Sequence, residues 1–102
     1  MNDRTREYVN RAAKIVAQFP DITKAVVVGP AMNDDFAFGD CNVWLAVFTK
    51  PEAKYTKVCC DLNAAFGDND LARIDIYMTA DEDFYAEVYS LIDSGEVIYE
   101  RG

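Results

Sequence analysis

Two runs of alternating side chains flank a segment with helical period, and that order constrains the fold more than any other feature of the chain. Residues 40–48 put Cys41, Val43, Leu45 and Val47 on one face and Asp40, Asn42, Trp44, Ala46 and Phe48 on the other. Residues 72–78 alternate in the same way, with Ile74, Ile76 and Met78 opposed to Arg73, Asp75 and Tyr77. Between the runs, Val58, Cys59, Leu62, Ala65 and Phe66 recur on one helix face up to Gly67. Thr49 and Glu52, with Pro51 between them, have the spacing of a capping box, which predicts where that helix begins. Strand, helix and strand in this order predict a parallel pair joined by a right-handed crossover.

The flanking segments complete a single α+β domain over residues 1–102. A first helix is expected over residues 7–19, where Tyr8, Val9, Ala12, Ala13, Val16 and Phe19 share a stripe that Pro20 stops. The β-branched run at 24–29 predicts a strand, and the short connection that follows permits an antiparallel pair with the next one. Residues 30–39 hold Asn33, Asp34, Asp35 and Gly39 without any period and read as a loop, of a length that is often functional. Thr79 and Glu82 repeat the capping spacing, and Tyr85, Val88, Leu91 and Ile92 form the stripe of a third helix closed by Gly95. The tail at Val97, Ile98 and Tyr99 adds an edge strand. The expected order is α-β-loop-β-α-β-α, a small mixed β-sheet with helices packed mainly on one face.

Composition narrows the function classes. Eighteen acidic against ten basic residues give a net charge of −8, a field that repels nucleic-acid backbones and anionic lipid. No apolar stretch approaches the ~20 residues of a membrane-spanning helix, and the charged N-terminus lacks a signal-type core, so a cytoplasmic location is expected. Cys41, Cys59 and Cys60 are odd in number and suit reduced thiols. The chain has no histidine, which excludes imidazole-dependent triads and Cys/His zinc sites and leaves any chemistry to carboxylates. Arg4, Arg6, Arg11 and Lys14 on the first helix read as a mixed solvated face, with Glu7 one turn before Arg11. Residues 61–100 carry eleven acidic groups and a single basic one, Arg73, which suits either a docking surface for a basic partner or plain solubility.

Asp40 and Asn42 point the same way from one strand, and Asp75 from the parallel neighbour joins them on that face. Three oxygen-bearing groups so placed suit a hard cation such as Mg²⁺, with a substrate phosphate completing its shell. The competing reading is the solvated side of a half-exposed strand, with Asp40 a turn residue after Gly39. Trp44, on the same face, is either a wall on which a base stacks or an aromatic under a loop.

Gly29-Pro30, the ten-residue loop, Gly39-Asp40-Cys41-Asn42-Val43-Trp44-Leu45 and Ile74-Asp75-Ile76, in that order, resemble the minimal nucleotidyltransferases of the polymerase-beta-like superfamily. The stretch from Leu91 to Arg101 is similar to the C-terminal helix of that family with its Gly turn and terminal Tyr, and the likeness runs from the first helix to the chain's end. The resemblance implies that Gly29 and Pro30, with Trp44, border a nucleotide triphosphate. It also implies that Asp40, Asn42 and Asp75 hold metal, and that Asp75 assists an attacking hydroxyl.

Two positions depart from the family's pattern. Pro30 stands where the family has Ser and brings neither a hydroxyl nor a backbone N–H to a phosphate. Asn42 stands where the family has its second Asp and offers a carbonyl oxygen without charge. The loop carries no Arg or Lys and presents Asp34 and Asp35, so it repels ATP rather than clamping it. The expectation is therefore a catalytically degenerate member, with Mg²⁺ weak or lost, acting as an antitoxin-like interaction module whose partner, by family analogy, is a small helical HEPN-type protein. The alternatives are an active metal-dependent transferase moving AMP from ATP to a protein or small-molecule hydroxyl, and a structural homo-oligomer that buries its open sheet face.

Overall fold

Asn2 starts the first helix. Its side-chain carbonyl accepts the Thr5 backbone N–H at 2.8 Å, satisfying one of the donors that a helix N-terminus leaves open, and α1 runs from Asp3 to Val16. The helix thus begins four residues before the expected 7–19 stripe, because its first buried position is the polar Thr5, and it ends before Phe19. Thr5, Val9, Ala12, Ile15 and Val16 form the buried stripe.

The structure, a computed structural model, describes residues 1–39, 41–79 and 94–101. After α1 come β1 (Ile22–Val28), a 3₁₀ turn (Gly29–Met32), β2 (Val43–Thr49), α2 (Tyr55–Asp68), β3 (Ile74–Thr79) and β4 (Glu96–Glu100). The expected third helix lies outside the described residues. The four strands form one mixed sheet in the order β3-β2-β1-β4. β2 and β3 run parallel, pairing Trp44 with Asp75, while β1 is antiparallel to both β2 and β4. The parallel pair accords with the alternation in the sequence, and β4 with the edge strand expected at Val97 to Tyr99.

Alternation also decides the layers. Ala25 and Val27 of β1, with Val43, Leu45 and Val47 of β2 and Ile74 of β3, join Val9, Val16, Leu62 and Phe66 in the main core beneath α1 and α2. Fully burying side chains such as Leu62 and Phe66 contributes about 1.5–3 kcal/mol each. The opposite face carries a smaller cluster, Val26, Val28, Ala46 and Phe48, with Trp44 against it.

Two local expectations fail. β2 begins at Val43 rather than at residue 40, and Cys41 makes only an isolated bridge to Phe38. The Thr49/Glu52 capping box does not form: residues 51–53 are a turn, and α2 starts at Tyr55 with no side-chain cap. The Thr49 hydroxyl donates instead to the Lys50 carbonyl at 3.2 Å. No helix among the described residues is long and apolar enough to cross a membrane, and all three cysteines are unpaired thiols.

Candidate functional site

The parallel register puts Asn42, Trp44, Asp75 and Tyr77 on the sheet face opposite α1 and α2, at the end where β2 and β3 begin. The Asn42 side-chain amide donates to an Asp75 carboxylate oxygen at 3.1 Å, and Asp75 is exposed. The amide's carbonyl end facing a carboxylate would set two acceptors against each other, so only the NH₂ end fits at that distance. Asn42 thereby acts as a hydrogen-bond donor that balances Asp75. Asp40 lies outside the described residues.

Gly29 turns the chain out of β1 in the left-handed region, at φ +73. The Trp44 indole packs directly on it: a Cβ at Gly29 would collide with Cε3 of Trp44 and lie 2.9 Å from Cζ3. Tyr77 meets the indole edge-on, with ring centroids 6.3 Å apart. Trp44 is therefore the lid on the Gly29 turn. Pro30 occupies the first turn of the 3₁₀ segment, where a missing N–H costs nothing, and its carbonyl accepts from the Asn33 N–H.

The loop at 30–39 is tied down. The Asn2 amide that caps α1 also donates to the carbonyls of Asp34 and Phe36, at 3.0 and 2.9 Å. Phe38 meets Phe36 edge-on and packs at a tilt against Tyr8, at centroid distances of 5.2 and 4.7 Å.

Arg73 does not share the face of Asp75 and Tyr77, as strict alternation predicts. It precedes β3, and its backbone N–H donates to the Tyr8 hydroxyl at 2.9 Å while its carbonyl accepts from Val43 N–H at 3.0 Å. Its side chain lines an open cleft of about 510 Å³ on the α1 side, with Arg4, Tyr8, Arg11 and Phe38. Burial is the main cause holding the Tyr8 phenol above its ordinary pKa, opposed by the Arg73 N–H and by the charges of Arg11 and Arg73. Arg11 also donates to the Asn69 carbonyl at the end of α2, at 2.6 Å. Arg6 leaves the basic group altogether and makes a two-pronged pair with Glu96 of β4, at 2.8 and 3.0 Å. The i, i+7 spacing of Arg4 and Arg11 marks one wall of this cleft in the sequence. Nothing local marks Arg73 as the other.

Compared with models of known protein families and with curated proteins, the chain matches none.

Proposed function

We propose that this is a nucleotidyltransferase-like domain that no longer transfers nucleotides and serves as an interaction module, the antitoxin-like half of a pair. The reading rests on the resemblance of the motifs, and the observation that carries its degenerate half is the Asn42 amide bonded to Asp75. In an active site of this kind the corresponding pair would be two carboxylates whose mutual repulsion a divalent cation relieves. Here the amide donates to the one carboxylate, no second charge repels it, and the pair has less electrostatic demand for metal than two carboxylates would. The indole over Gly29 supports the same reading, since it covers the turn that would otherwise face a phosphate. On the resemblance, the partner is a small all-helical protein of the HEPN type.

The test compares melting temperatures in ATP alone and in ATP with Mg²⁺ or Mn²⁺. A ligand that does not bind the native state cannot stabilise it, so the metal is expected to add no shift. A metal-dependent rise, or transfer of label from α-labelled ATP that Asp75→Asn abolishes, would establish the active transferase instead.

A further inference from the structure

The cleft between α1 and the start of β3 gathers three arginines, Arg4, Arg11 and Arg73, against two carboxylates, Glu7 and Asp70, in a chain whose net charge is −8. Among the described residues the guanidiniums of Arg4 and Arg73 have no hydrogen-bond or ion-pair partner. Elsewhere on the same helix, Arg6 is fully engaged by Glu96. Basic side chains left open together in an acidic protein concentrate a local positive potential that the rest of the surface does not share.

Tyr8 stands at the centre. Its oxygen accepts the Arg73 N–H, which leaves its own hydrogen available to an acceptor in the cleft. Arg11 and Arg73 line the same cleft as that phenol, and the charges of both bear on it. A hydroxyl donor between two planar multi-donor cations matches an anion with several oxygens, and guanidinium geometry favours phosphate. The Tyr8 and Phe38 rings supply an aromatic wall, and the cleft's size falls within the range of small-molecule sites.

We propose that this cleft binds a small phosphomonoester carrying a flat ring, its phosphate held by Tyr8, Arg11 and Arg73 with Arg4 at the rim and its ring against Phe38. The site lies across the sheet from the Asn42–Asp75 pair and needs no metal, so it stands or falls independently of the transferase reading.

The experiment titrates the whole chain, in EDTA and at constant ionic strength, with inorganic phosphate, glycerol 3-phosphate and phenyl phosphate, following the melting temperature and the backbone amide NMR shifts. Phenyl phosphate is expected to give a saturable shift centred on the Arg73 amide and to bind tightest of the three. Arg73→Gln keeps the backbone bond to Tyr8 and is expected to weaken binding roughly tenfold, the loss of one charged hydrogen bond. Tyr8→Phe should weaken it several-fold, and Asp75→Asn should leave it unchanged. No saturable shift, equal binding by Arg73→Gln, or loss of binding in Asp75→Asn would overturn the site. Equal affinity for all three probes would overturn the ring's contribution.

Discussion

The two polar regions at this end of the sheet differ in how their charges are met. On the open face, Asp75 is answered by Asn42, and the Gly29 turn by the Trp44 indole. Across the sheet, Arg4 and Arg73 line a cleft, and their guanidiniums have no partners among the described residues. A single residue links the two regions, since the Arg73 carbonyl holds the first residue of β2 while its N–H holds Tyr8. The lesson is that residue types at motif positions are a weaker guide to binding than the balance of donors, acceptors and charges around them. Carboxylates with partners have little to gain from a ligand, and guanidiniums without them have much.

The largest expected effect tests how firmly the open face is closed. Gly29→Ala puts a side chain in the left-handed region, which costs about 1–2 kcal/mol, and drives a Cβ into the indole, which adds about 1–3 kcal/mol. Urea denaturation should report a loss of about 3 kcal/mol. In a Trp44→Ala background the same substitution should cost at least about 1 kcal/mol less, because the collision partner is gone. Strict additivity would mean that the indole is not what closes the turn.

Changing the answer to Asp75 comes next in size. Asn42→Asp replaces a 3.1 Å hydrogen bond with two like charges and should lower stability by about 1 kcal/mol at neutral pH without metal. Mn²⁺ should then stabilise this variant and not the parent. With Pro30→Ser added, which restores phosphate donors, ATP should stabilise it further in the presence of Mn²⁺. If metal and nucleotide affinity stay unchanged, the Gly29, Asn42 and Asp75 positions do not form the site that the resemblance implies.

An unmatched polar group matters for binding only where a ligand can reach it, and Thr5 is the contrast within α1. Its side chain is fully buried and its hydroxyl has no partner among the described residues. Thr5→Val keeps the shape, leaves the backbone N–H on Asn2 and removes an unsatisfied oxygen, so it should stabilise by about 1 kcal/mol. Unchanged or reduced stability in thermal and urea unfolding would contradict this.

The sequence makes the sheet legible because strand signals are local: the parallel pair follows from alternating runs of nine and seven residues, the first strand from a β-branched run, and the edge strand from a three-residue extended tail. Caps were less legible. Thr49 and Glu52 have the right spacing, yet the chain is still turning at residues 51–53 and the first buried position of α2 is Val58. At α1 the reverse holds, since the cap is Asn2 and the first buried residue is a threonine that no hydrophobic stripe includes. Of the site, the shared face of Asn42 and Asp75 was readable from parity. The donor role of Asn42 and the indole over Gly29 depend on contacts across strands. The cleft was half visible, as Arg4 and Arg11 on one helix, but Arg73 reaches it only because β3 starts one residue later and the connection from α2 turns that position toward Tyr8.

The smallest effect sets a paired arginine against an open one on the same helix. Arg6 donates two hydrogen bonds to Glu96, and those bonds, opposed by slight burial and helped by the Arg6 charge, hold the Glu96 carboxyl below the ordinary carboxylate range. A lowered folded-state pKa means that the stabilisation is fully present above the unfolded value and disappears as the pH falls through the folded one. The stability difference between the parent and Glu96→Gln should therefore be positive at pH 7 and vanish in strong acid. Both side chains are half-exposed, so the difference should also shrink in molar salt. Arg4→Gln, which removes a guanidinium that has no partner among the described residues, should show neither dependence. If it instead lowers stability at pH 7 as Glu96→Gln does, Arg4 is tied into the fold and its charge is not free for a ligand.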